Sequence, residues 1–185
     1  MIRAQALRDR SSLARHLPAV ASKSVHAFAG RWPVSVDRTY VAENDAQRER
    51  LRALVRRLGD QELARPMEAG WTVAAVLAHA AFWDQRIVVL LDQWEHRGPS
   101  WTPPLEVERD VDWINDAAKA LCLALPPRVA AELALSVAET VDRRVAAVSE
   151  GIIEANARAG APLNWRRAEH RREHLDEIEQ ALRRA

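Results

Sequence analysis

Thr72-Val-Ala-Ala-Val-Leu-Ala-His79-Ala-Ala-Phe-Trp83-Asp84-Gln-Arg-Ile87-Val-Val-Leu-Leu91-Asp-Gln-Trp94 is the stretch on which the fold turns. Val73, Val76, Ala80, Trp83, Ile87, Leu90, Leu91 and Trp94 recur in steps of three, four or seven residues, as on a helix that buries one face. Thr72 is a natural N-cap, because its hydroxyl can accept an N–H that the first turn leaves without a partner. Arg97-Gly98-Pro99 supplies the stop, so the pattern predicts one long buried helix from Val73 to about Arg97.

Working outward, the same period recurs on both sides. Leu51, Leu54, Val55 and Leu58 mark a first helix from about Val41 to Leu58, closed by Gly59. A loop through Pro66 and Gly70 leads to Thr72. Downstream, Ser100–Asp110 with Pro103-Pro104 reads as a long loop wrapping one end of the domain, and a short helix follows from about Val111 to Leu125, halted by Pro126-Pro127. Val129, Leu133, Val137, Val141, Val145, Val148 and Ile152 predict a third long helix from about Arg128 to Ala157, broken by Gly160-Ala-Pro162. The last helix runs from Asn164 or Trp165 to the C-terminus. No strand-like alternation is sustained, so the expected fold is all-α: a four-helix bundle with a short extra helix before the third long one.

Charge divides the chain. Residues 1–40 hold seven Lys/Arg against Asp9 and Asp37, whereas the remainder holds 20 basic against 24 acidic residues. We read residues 1–38 as a basic, disordered leader with a short fraying helix, and 39–185 as the folded domain. An acidic body lacks the clustered Lys/Arg of a nucleic-acid surface. Cys122, the single cysteine, excludes an intrachain disulfide and reads as a small buried hydrophobe. No run approaches a membrane span and the N-terminus has no continuous apolar core, so a cytoplasmic protein is expected.

Three histidines carry the chemistry. His170 and His174 stand at i and i+4 in Trp165-Arg-Arg-Ala-Glu-His170-Arg-Arg-Glu-His174-Leu-Asp-Glu-Ile178, so both imidazoles leave one side of the last helix. With His79 at zero on its wheel, Trp83 falls at about 40° and Val76 at about 60°, and with His170 at zero, Ile178 falls at about 80°. The histidines therefore border their apolar stripes, where a neighbouring helix lies and a shared ion would sit. The plainer alternatives are a hydrogen-bonded interfacial His79 and a solvated His170/His174 face among Arg166, Arg167, Arg171, Arg172, Glu169 and Glu173. Asp84 and Glu173 lie near the ligands in sequence, as candidate bases or ligand-orienting groups, with salt-bridging or surface roles as the plainer reading. Trp83, one turn after His79, is expected beside the site, lining an apolar pocket. His16, His26 and His96 read as surface residues.

Gly70-Trp71-Thr72 capping a helix, Val76-Leu77-Ala78-His79 with Trp83-Asp84, and the closing His170-x-x-x-His174-Leu175-x-x-Ile178 resemble the DinB/YfiT-like superfamily over about residues 40–185. The resemblance implies a four-helix bundle of up-down-down-up topology. It also implies a divalent metal held by three histidines, here His79, His170 and His174. Relatives include thiol-dependent S-transferases and a mycothiol-dependent maleylpyruvate isomerase. The leader and the Pro-bounded extra helix depart from the family pattern, and the latter is placed to reshape the pocket mouth.

Three imidazoles leave an ion with at least one open position, suited to lowering the pKa of a bound thiol or water. Zinc suits the donor set best, with nickel, manganese and iron as alternatives. The sequence therefore leads to a metal-dependent transferase, isomerase or hydrolase acting on a small molecule, with mycothiol, bacillithiol or water as nucleophile. The competing reading is a non-catalytic helical-bundle dimer that binds a small ligand or a protein partner, its apolar groove supplied by Trp101 and Trp113.

Overall fold

A computed structural model describes residues 36–98, 101 and 108–184 of the chain, all within one compact unit, Ser35–Ala185. Its helices are α1 (Thr39–Arg57), α2 (Asp60–Leu63), α3 (Val73–Arg97), α4 (Glu108–Ala124), α5 (Pro127–Ala146), α6 (Glu150–Arg158) and α7 (Arg167–Arg183). The described residues contain no strand; one isolated bridge, Pro66 to Thr72, closes the loop ahead of α3.

Local chemistry accounts for most boundaries. The Thr72 hydroxyl accepts the Ala75 N–H at 3.1 Å, and Gly98, at φ 81, ends α3. Pro127 opens α5 rather than halting α4: a proline at the first helical position gives up an N–H that would have no partner there anyway. The extra helix, α4, has 17 residues, as many as α7, so it is not short.

The expected third helix, Arg128–Ala157, is in fact two. The chain turns at Ala147-Val148-Ser149, where Ser149 caps α6 by accepting the Ile152 N–H. Arg38 fixes the break from outside, donating to the Ala146 carbonyl at 3.0 Å and the Val148 carbonyl at 2.8 Å. Arg38 and Asp37, which binds Thr39 and Arg166, thus belong to the fold and not to the leader. Residues 1–35 and most of the 100–110 segment, where the disordered leader and the end-wrapping loop were expected, lie outside the described residues.

α3 is the central helix, packing most extensively on α5 and also on α4 and α7, while α1 packs on α7 and α5. Small residues permit a close α3–α5 contact. Ala74, Ala78 and Ala81 share a buried cluster with Ala130, Ala131, Ala134 and Ala138, which suits the short end of the roughly 8–10 Å interaxial range. α3 is long and apolar enough to cross a membrane, which corrects the expectation that no run approaches a span. Its most apolar window is 72% buried inside the protein, as befits a core helix.

The apolar core is split. One cluster gathers Leu51, Leu54, Leu77, Leu175 and Ile178; the other gathers Tyr40, Ile87, Leu91, Trp94, Val141 and Leu163. Between them in sequence on α1 and α3, just past Val141 on α5, and ahead of Leu175 on α7, lie buried polar residues: Asn44, Asp84, Asp142, Arg167 and Arg171. Arg171, only 2% exposed, donates to Asp84 Oδ2 at 2.9 Å from Nε and to both oxygens of Asp142 at 2.8 Å. Arg167 Nε donates to Asp84 Oδ1 at 2.7 Å, and Arg48 reaches Asp142 at 2.8 Å. Asn44 accepts the Ala168 N–H at 2.8 Å, satisfying a donor in the first turn of α7 from α1. α1, α3, α5 and α7 thus each contribute to one buried polar layer.

Candidate metal centre

His79 enters the site from the middle of α3, buried to 7% exposure, while His170 and His174 enter from successive turns of α7 and are half-buried. One donor atom from each lies within 4.8 Å of the other two. Ring centroids are 4.9 Å apart for His79–His174, 5.6 Å for His79–His170 and 4.6 Å for His170–His174. The structure thus brings together residues separated by about ninety positions, and the solvated-face alternative for the pair does not hold.

The donor set fits an ion. Two nitrogens bound to one tetrahedral zinc at about 2.0–2.1 Å stand roughly 3.3 Å apart. The Nε2 atoms of His170 and His174 are 3.2 Å apart. His79 Nδ1 is buried without a hydrogen-bond partner among the described residues, an unmet polar valence of the sort that an ion or ordered water satisfies. Burial, with His174 beside it, pushes the His79 pKa down to about 4. Burial also lowers His170, reinforced by His174 and Arg167. Neutral imidazole is the form that binds metal.

The surroundings come from four elements. Glu177, one turn after His174, accepts from its Nδ1 at 2.9 Å, and this hydrogen bond holds the Glu177 carboxyl below its ordinary pKa. A carboxylate behind a ligand histidine fixes its ring and tautomer. Arg167 Nη2 stands 3.2 Å from His170 Nδ1. Trp71 and Trp83 flank His79 edge-on, with centroids 5.5 and 6.5 Å away. Trp71 reaches this place through a tight turn in which Ala69 and Gly70 have φ of 53 and 73. α4 adds Asn115, which accepts from Trp83 Nε1 at 2.9 Å, and Lys119, which lies 5.3 Å from the Trp71 ring.

Among the weaker candidates, Trp83 lies beside His79 as expected. Asp84 does not face the histidines as a base: both oxygens are held by Arg167 and Arg171 in the polar layer. Glu173 stands on the exposed side of α7, and Glu177 occupies the position sought for it. The i, i+3 spacing of His174 and Glu177 was a usable signal. Trp71 was quoted only as part of a cap. Arg167 and Arg171, read as solvated, are buried, whereas Arg172, Glu169 and His96 are exposed. The open cavity of about 360 Å³ between α1 and α5, lined by Arg48, Arg52, Glu139 and Asp142 among others, is away from the histidines. Its mixed charges define no ligand, and the chemistry of the donor set points to the histidine group.

Comparison of the chain with protein-family models, with curated proteins and with solved structures finds no match.

Proposed function

We propose that this chain is a metal-dependent enzyme in which His79, His170 and His174 hold a divalent ion, zinc by donor preference, for reaction of a low-molecular-weight thiol or water with a small electrophile. The observation that carries this reading is the convergence of three imidazoles, one of which, His79, keeps a buried ring nitrogen without a hydrogen-bond partner among the described residues. When bound, the ion supplies Lewis acidity at an open position, making a thiol or water nucleophilic near neutral pH. The protein's own part is orientation and exclusion of water. Glu177 keeps the Nδ1–H of His174 turned away from the ion, and Trp71 and Trp83 wall the His79 side with apolar surface. In the same reading α1, α3, α5 and α7 form the four-helix bundle of the DinB/YfiT-like superfamily in up-down-down-up order. Mycothiol or bacillithiol is then the nucleophile to try first, in a cytoplasmic enzyme with no nucleic-acid partner. α4 distinguishes the pocket mouth from the family pattern.

Metal analysis of natively purified protein tests this. One equivalent of a transition metal is expected, and His79→Ala, His170→Ala and His174→Ala should each lose it. No metal after purification and no uptake on titration with zinc or cobalt ends the proposal. Turnover of a model electrophile with mycothiol, bacillithiol or glutathione then separates a transferase from a hydrolase.

A second reading, a non-catalytic homodimer, draws on the outer face of α4. Trp113 is 61% exposed and Leu121 73%, two turns apart on one side of the helix. Light scattering decides it: a dimer that Trp113→Glu dissociates, in a protein that takes up no metal, favours this alternative.

A further inference from the structure

Arg167 stands at an unusual place for a metal centre. A histidine that ligates metal normally turns its other ring nitrogen, as N–H, toward an acceptor. Glu177 provides that acceptor for His174. His170 instead has the guanidinium of Arg167 at 3.2 Å from Nδ1, and a guanidinium offers only donors. The contact is a hydrogen bond only if His170 Nδ1 carries a lone pair, which puts the ring proton on Nε2. His170 Nε2–H then points at His174 Nε2, 3.2 Å away, and His174 donates from Nδ1 to Glu177 Oε2 at 2.9 Å. Every donor in the series Arg167, His170, His174, Glu177 meets an acceptor, from a fixed cation to a carboxylate, in one direction. No other tautomer pair satisfies all three contacts.

The series has a consequence for metal uptake. His174 is already in the form that binds through Nε2; His170 is not. Ligation by His170 Nε2 requires that this nitrogen give up its proton and that Nδ1 take one, with no net change of charge, and the new Nδ1–H then meets an Arg167 N–H. Ligation by His170 Nδ1 uses the lone pair that Arg167 holds. On either route the Arg167–His170 hydrogen bond is lost, while Arg167 Nε remains tied to Asp84 at 2.7 Å. We propose that Arg167 is a latch on the metal centre: it occupies the lone pair of His170 Nδ1 and so leaves the ring proton on Nε2, and metal enters only as its guanidinium releases His170 Nδ1. Arg167 is a positioning residue acting through His170, and the proposal rests on reading the three histidines as a metal centre.

The test compares wild type with Arg167→Gln, whose carboxamide oxygen can accept from Nδ1–H, and with Arg167→Met, which offers His170 no polar group. Asp84 also pairs with Arg171, at 2.8 Å, a contact that neither substitution removes. Zinc affinity by chelator competition should rise roughly tenfold to a hundredfold in Arg167→Gln, the usual reach of a group behind a ligand. Arg167→Met should also bind more tightly than wild type. Nitrogen-15 NMR of the metal-free wild type, with His170 assigned by its loss in His170→Ala, should show the proton on Nε2. This readout needs no metal and no substitution at Arg167. A His170 proton on Nδ1, or zinc affinity unchanged or weakened by Arg167→Gln, overturns the latch and leaves the metal centre standing. Zinc uptake by neither protein overturns the metal centre, and the latch with it, whatever the tautomer.

Discussion

The Asp84 carboxylate receives Arg167 on one oxygen and Arg171 on the other at 2% exposure, so it is shared by two buried guanidinium groups, with Asp142 as the second carboxylate of the cluster. Removing one member of such a cluster costs more than the cluster contributes, because the charges left behind are neither solvated nor paired. Asp84→Ala should destabilise the protein by about 3–5 kcal/mol, read from the midpoint of urea unfolding. A loss under about 1 kcal/mol would place these arginines in water instead. Acid bears on the neighbouring histidines in a definite direction. His79 has an ordinary pKa of 6.5 and about 4 in the folded protein. The unfolded chain therefore binds a proton that the folded chain refuses. Its contribution to stability is fully present above pH 6.5 and is lost as pH falls toward 4. The metal-free protein should lose melting temperature through that window, and His79→Gln should flatten the loss.

At the scale of the elements, α3 and α5 pack on each other through buried alanines. Ala134 is 2% exposed among them, so Ala134→Leu should cost about 1–3 kcal/mol through overpacking, visible as a lowered melting temperature. An unchanged melting temperature would mean that the two helices stand farther apart. Much of this level was legible in the sequence. The apolar period and the cap at Thr72 gave α3 its limits, and the i, i+4 spacing put His170 and His174 on one side of α7. The break between α5 and α6 was not legible from periodicity, since Val145, Val148 and Ile152 keep step across it. Ser149-Glu150 did carry a capping signal, but the stop itself comes from Arg38, more than a hundred positions away. The buried arginines escaped for a similar reason. On a helix crowded with charge, Arg167 and Arg171 look like Arg166 and Arg172 until Asp84 and Asp142 arrive from other helices.

Over the whole molecule, the residues just ahead of α1 are part of the frame. Arg38 closes the end of α5, and Asp37 ties Arg166, just ahead of α7, at 2.6 Å. Arg38→Ala should therefore speed amide hydrogen exchange at the α5–α6 junction while α3 stays protected; uniform protection would deny Arg38 this role. The buried polar layer reaches further. Above and below it the helices present valine, leucine and alanine, residues similar enough that a helix displaced by one turn, about 5.4 Å, would find comparable neighbours. Asp84 would not: one turn away it meets neither Arg167 nor Arg171. The guanidinium of Arg167 that recognises Asp84 is also the one that reaches His170. Mispaired helices would thus scatter the histidines as well, and the three-histidine group is presented only by molecules whose helices have found their proper alignment.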